Sequence, residues 1–196
     1  MDNLEFGFHI LKSIANFSDI NSYFFFPYVI TLFGKLIRIS LNADLPDQFR
    51  NLALICISSI VKNAPKMCKS IPDFYQNFIA RLVLIVSEIK DGEINDDLWE
   101  YNPNDDRPCM QALDTINSID DSLRSEVGFR IIAQIYQPIL QLSVELDPNS
   151  PLSTCFKYGA DSWQAKYAVI SSLSEIMNPY CDFNSIASFL DIIIPL

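Results

Sequence analysis

Trp163-Gln-Ala-Lys-Tyr-Ala-Val-Ile-Ser-Ser-Leu-Ser-Glu-Ile176 decides how the rest of the chain reads. At helical spacing it carries two stripes. Trp163, Tyr167, Ile170 and Leu173 form one; Ala165, Val169, Ser172 and Ile176 form a second of mostly smaller residues. A helix of an isolated four-helix bundle needs only one stripe. A helix with two has a partner in its own hairpin and a second neighbour in the next. That is the condition of a helical repeat array, where no repeat buries its apolar faces alone.

The same period recurs toward the N-terminus. Residues 4–17 form a first helix, and Phe26 to Leu41 a second, with Val29, Leu32, Phe33, Leu36 and Ile37 on one stripe. Pro46 and Asp47 suit a helix first turn, where proline lacks no needed donor and an acid complements the helix dipole. The third helix buries Phe49, Leu52, Ala53, Cys56, Ile57 and Ile60 and stops near Ala64-Pro65. A fourth starts after Pro72 and carries Phe74, Phe78, Leu82, Ile85 and Ile89. Helical order resumes with Met110, Leu113 and Ile116, and continues through Ile131, Ile132, Ile135, Tyr136, Ile139 and Leu142. A last pair covers 162–177 and 183–194.

No strand-like alternation competes with this pattern. The 5 Gly are too few for a turn-rich β protein, and the 11 Pro fall mostly between apolar runs. The predicted fold is an all-α superhelix, a HEAT-repeat solenoid of about four helical hairpins. The hairpins occupy residues 1–43, 44–90, 107–146 and 161–196, with an acidic loop at 91–106 and an insertion at 147–160. The end, Asp191-Ile-Ile-Ile-Pro-Leu196, is apolar and lacks a polar cap, so the sequence reads as a cut from a longer array.

Charge narrows the partners. With 14 Lys+Arg against 24 Asp+Glu, net −10, no basic stripe is evident in the sequence to bind nucleic acid. An acidic protein favours basic protein partners instead. Tyr23 to Gly34 is the most apolar stretch and is too short to span a bilayer, so no membrane insertion is expected. No basic stretch precedes it to make a signal peptide. Cys56, Cys68, Cys109, Cys155 and Cys181 are scattered singly and read as reduced thiols packed as small hydrophobes. His9 stands alone, so neither a general base with a companion nor a zinc site of ordinary spacing is formed. No phosphate-binding or dinucleotide glycine motif and no nucleophile elbow is present. The chain is expected to need no metal and no cofactor, and not to be an enzyme.

One segment stands apart. Between Lys90 and Pro108 the helical period is lost, and Asp91, Glu93, Asp96, Asp97, Glu100, Asp105 and Asp106 surround Trp99 and Tyr101. A solvated loop between helices is one reading. The other is a contact element, because a loop this long within a compact array is more often functional and two large aromatics are costly to leave in solvent.

Several runs resemble the karyopherin-β family of nuclear import receptors. Asn51-Leu-Ala-Leu-Ile-Cys-Ile-Ser-Ser-Ile-Val-Lys-Asn-Ala-Pro-Lys-Met67 is similar to a family repeat that reads LAL…E.AP.M. An acidic stretch bearing a Trp follows. Cys109-Met-Gln-Ala-Leu-Asp114 resembles the G..ALDR run, and Asp161-Ser-Trp-Gln-Ala-Lys-Tyr-Ala to Ile176 resembles DWK.RHAALMALSAIAE. Ser162 parts Asp161 from Trp163, and Gln164 stands where relatives have a base. The order of the runs matches the importin-five branch.

The resemblance implies a superhelical receptor that carries basic protein cargo such as ribosomal proteins or histones. It also implies binding to the GTPase Ran in its GTP form and to FG nucleoporins, which enter hydrophobic slots between outer helices. Cytoplasm and nucleus, including the nuclear pore, would be its locations. By the same analogy, Asp96, Asp97, Trp99, Glu100, Asp105 and Asp106 become the partner-contact residues. The alternative is a HEAT scaffold of another class, of the phosphatase or chromosome-associated kind.

Overall fold

A computed structural model describes residues 3–71, 74–90, 107–123 and 162–176. Within these, every regular element is a helix. They are α1 (Asn3–Asn21), a 3-10 helix (Ser22–Tyr28), α2 (Val29–Leu41), α3 (Asp47–Asn63), α4 (Pro65–Lys69), α5 (Phe74–Val86), α6 (Pro108–Leu123) and α7 (Trp163–Ile176).

The helices stack in two layers. α1, α3, α6 and α7 follow one another in the first layer, each against the next, while α2 and α5 lie side by side in the second. The layers interlock, with α2 against α3 and α5 against both α6 and α7. This is the predicted all-α superhelix.

The apolar face of α3 shows why the array forms. Ala53, Leu54, Cys56, Ile57, Ile60 and Val61 are all fully buried, more than one stripe can hold, because α3 has neighbours on both sides. Small polar groups join the first-layer helices. Ser58 donates to Ser118 Oγ at 2.9 Å, and Ser118 donates onward to the Asp114 carbonyl at 2.7 Å, so both hydroxyls are satisfied between α3 and α6. In the second layer Phe33 is wholly buried and meets Phe74 and Phe78 edge to face, with ring centroids 5.6 and 5.0 Å apart.

A buried cation fixes the other end of these helices. Arg50 Nε donates to the Ser40 carbonyl at 2.8 Å and Arg50 Nη2 to Glu88 Oε2 at 2.5 Å. Phe33 near the start of α2 therefore meets the start of α5, and Ser40 at its end is tied to Glu88 just past the end of α5. The two second-layer helices run in the same direction.

The boundaries depart from the sequence reading in four places. First, α1 continues to Asn21 and passes into the 3-10 helix, so α2 starts at Val29 and not at Phe26. Ser13, Ser18 and Ser22 each donate a hydroxyl to the carbonyl four residues back, so these polar side chains are satisfied within the helical path. Pro27 sits in the tighter 3-10 turn, since it can donate no backbone bond. Second, the helical path from Leu4 to Leu41 is 38 residues, long and apolar enough by length and composition to cross a membrane. This corrects the expectation that the apolar stretch is too short. The 3-10 helix interrupts the path, and Leu11, Ala15, Val29, Phe33, Leu36 and Ile37 along it are buried in the protein core.

Third, the turn after Ala64 is itself helical. Pro65 starts α4, which buries Met67 and Cys68. Fourth, α5 stops at Val86, so Ile89 is buried from outside the helix. The expected helices at 131–142 and 183–194, the insertion 147–160 and the acidic loop 91–106 lie outside the described residues.

On α7 the two stripes separate by environment. Ala165, Val169 and Ser172 are buried, whereas Trp163 and Ile170 are exposed and Tyr167 is half-buried against Trp163.

Candidate interaction surfaces

Asp96, Asp97, Trp99, Glu100, Asp105 and Asp106, the contact residues expected from the sequence, all lie outside the described residues. The structure describes both flanks. Ile89, buried, ends the α5 side, and Arg107 leads into α6, with α5 and α6 packed together. The segment thus joins two neighbouring helices of different layers.

Among the described helices, charge is sorted by layer. First-layer helices carry Glu5, Asp19, Asp47, Asp114, Asp120, Asp121 and Glu175 against Lys12, Arg50, Lys62 and Lys166. In the second layer, α2 has Lys35 and Arg38, α5 has Arg81, and neither has an acid. Lys35, Arg38 and Arg81 are all exposed. The net charge of −10 concealed this division, because a sum over the chain does not resolve its faces. The signal was nonetheless there, since no Asp or Glu occurs between Ile20 and Ala43 or between Phe74 and Ser87.

An apolar surface covers the far side of α1 and the 3-10 helix. Phe6, Ile10, Phe17, Ile20, Tyr23, Phe24, Phe26 and Tyr28 are exposed. A pocket of about 500 Å³ opens here, walled by Phe6, His9, Ile10, Ile14, Phe17, Phe24 and Phe25. Phe17, Phe24 and Phe25 pack edge to face, with centroids 5.1 to 5.8 Å apart, and so hold one wall in shape.

Two carboxyls and a lysine mark the other end of the first layer. Asp114 of α6 is raised from the ordinary carboxylate range by desolvation, opposed by the Lys62 cation. Glu175 of α7 is raised by desolvation and then by the Asp114 charge. Nothing here resembles an activated nucleophile. Desolvation pushes the Cys56 and Cys68 thiols up to about 12, which leaves them protonated and unreactive near neutral pH. Cys109 is also a buried free thiol. Among the described residues no group of His, Cys, Asp and Glu is placed to hold a metal ion.

No protein-family pattern matches the chain. No curated protein matches it either. Solved structures do. The karyopherin Kap121p bound to the extreme C-terminus of the protein phosphatase Cdc14p is similar over 100% of this chain, at 18% identity and a TM-score of 0.75. Kap121p bound to Pho4p is similar over 99%, at 18% identity and a TM-score of 0.74. Kap121p bound to RanGTP is similar over 98%, at 19% identity and a TM-score of 0.73. In each case the present chain spans 18% of the length of the Kap121p chain. At this identity the likeness shows the fold: the helices are arranged as in a stretch of a karyopherin.

Proposed function

We propose that the chain is a segment of a nuclear import receptor of the karyopherin-β kind, importin-five branch. In the full-length molecule it binds basic protein cargo of the ribosomal-protein or histone type and is regulated by Ran-GTP. The observation that carries this is the backbone likeness to Kap121p over essentially the whole chain. Those structures are of Kap121p bound, separately, to the extreme C-terminus of Cdc14p, to Pho4p and to RanGTP. The ordered runs at 51–67, 109–114 and 161–176 support the same assignment from the sequence.

In this reading Asp96, Asp97, Trp99, Glu100, Asp105 and Asp106 contact the cargo, the acids meeting Lys and Arg while the aromatics anchor the segment. The pocket on α1 supports an FG-nucleoporin contact, being apolar, walled by aromatic rings and large enough for a phenylalanine side chain. The protein would then work in cytoplasm and nucleus and at the pore.

The test is binding of the full-length receptor that contains this segment to Ran locked in the GTP form and, separately, in the GDP form. Preference for the GTP form, with release of a bound Lys/Arg-rich peptide, is the expected result. Equal binding to both forms, or none, would refute the transport reading and leave a HEAT scaffold of another class. Replacing the six named loop residues, acids by Asn or Gln and Trp99 by Ser, should weaken binding of the basic peptide and flatten its salt dependence.

A further inference from the structure

We infer that the outward face of the second layer docks an acidic segment of a partner protein, between Lys35 and Arg38 of α2 and Arg81 of α5. The placement follows from the packing. α2 and α5 lie side by side and run the same way, with Phe33 meeting Phe74 and Phe78, and Ser40 tied through Arg50 to Glu88. Counting forward from the Phe33 contact brings Lys35 and Arg38 level with the part of α5 that bears Arg81. Lys35 and Arg38 are three apart on one helix, with Cβ atoms about 5–6 Å apart. Neighbouring helix axes lie about 8–10 Å apart, so the three cations fall within a patch one short peptide can cover.

Nothing described neutralises this patch. None of the three side chains forms an ion pair with a described residue. The neighbouring carboxylate, Glu88, is already committed to the buried Arg50 guanidinium. The surroundings are apolar and open: Ile30 of α2 is exposed, Leu84 of α5 is half-buried, and beyond its chain neighbours and its own helix backbone Gly34 has no atom within 4 Å of where a side chain would begin.

The chemistry of the occupant follows from scale. Three cations within a protein of net charge −10 attract two or three carboxylates at contact, but the whole molecule repels a long polyanion from a distance. A short acidic protein segment with apolar residues between its carboxylates meets both conditions. This reasoning stands on the described helices and does not depend on the transport reading.

The test is fluorescence anisotropy on the intact chain, with a labelled peptide of about twelve residues that alternates Glu pairs with Leu. The matching peptide with Lys in place of Glu is the control. The Glu peptide should bind and the Lys peptide should not compete for its site. The combined Lys35→Glu, Arg38→Glu and Arg81→Glu variant should lose about tenfold in affinity for the Glu peptide. Reversal at Lys12 and Lys69, exposed elsewhere, should leave it unchanged. Circular dichroism checks the fold, and Gln at the same three positions replaces Glu if the reversal unfolds the chain. The inference is overturned if the Glu peptide fails to bind, if it binds the triple variant equally well, or if oligo-dT or phosphatidylserine vesicles bind these residues while the Glu peptide does not.

Discussion

Phe33→Ala should be among the most damaging single substitutions in this chain. The side chain is fully buried on α2, and its ring touches Phe74 and Phe78 of α5 edge to face. Burying a Phe side chain is worth about 1.5–3 kcal/mol in transfer alone. The cavity left behind adds to that, so Phe→Ala in a core costs about 3–5 kcal/mol. Each ring pair contributes about 0.5–1.5 kcal/mol beyond area, so the upper part of the range is expected here. Phe33→Leu keeps most of the volume and loses both ring contacts, for a loss of about 1–2 kcal/mol. Ile20→Ala, at a side chain 81% exposed, should stay within about 0.5 kcal/mol. Urea titration followed by ellipticity at 222 nm measures all three. Because a repeat array is stabilised by nearest-neighbour interfaces, hydrogen exchange should rise first in α2 and α5 of the Ala variant. A loss below about 1 kcal/mol for Phe33→Ala, with unchanged exchange in α5, would refute the packing of successive second-layer helices argued above.

Glu88→Ala leaves the Arg50 guanidinium buried with only the Ser40 carbonyl and a distant Asp47, and should cost about 3 kcal/mol, the low end for a broken buried pair because Glu88 is itself partly exposed. The Arg50→Met, Glu88→Leu double variant should recover much of that in the same urea titration. Asp114 and Glu175 have folded-state pKa values raised above their ordinary ones, so the folded state holds their protons more tightly than the unfolded state does. Stability from these two groups should therefore rise as pH falls from neutral into the ordinary carboxylate range, and Glu175→Gln should stabilise the chain at pH 7 but not at pH 4. Thermal melts at the two pH values check the sign, and a larger gain at pH 4 would refute it. Cys56 and Cys68, buried with pKa pushed up to about 12, should resist iodoacetamide at pH 8 in the folded protein and react fully in urea, as mass spectrometry would show.

The layered helices were legible because burial imposes a period. Val29, Phe33, Leu36 and Ile37 of the stripe read on α2 are buried and Leu32 is partly so; of the two stripes read on residues 163–176, Ala165, Val169 and Ser172 are buried while Trp163 and Ile170 are exposed. The boundaries were less legible, because they depend on local bonding that hydrophobic spacing does not report. α1 ran on to Asn21 with its serine hydroxyls bonded to carbonyls four residues back, and Pro65 opened a short helix where proline had marked only a stop. The candidate contact residues were chosen from one acidic, Trp-bearing segment by family analogy, and they lie outside the described residues. The two acid-free stretches, Ile20 to Ala43 and Phe74 to Ser87, stood in the sequence, but that they share one layer is a property of topology and emerges only once α2 and α5 are known to be neighbours.

That topology also explains why one cation is buried while three others remain outside. Among the described residues Arg50 is the only buried Lys or Arg, and it sits where the end of α2, the start of α3 and the turn after α5 converge. A hydrophobic side chain there would pack, but it could not satisfy the Ser40 carbonyl. Arg50 accepts the cost of its own desolvation and in return fixes the ends of α2 and α5 against each other. It also engages Glu88, the carboxylate just beyond α5, so that among the described residues no acid pairs with Lys35, Arg38 or Arg81. If this is right, Glu88→Gln should barely change the position of the helices, since the amide oxygen still accepts from Arg50. Removing the charge of Glu88, the described acid that follows α5, should then leave the affinity for an acidic peptide unchanged or slightly raised. A marked fall in that affinity, with the helical signal intact, would show that Glu88 belongs to the docking face and not to the core clasp.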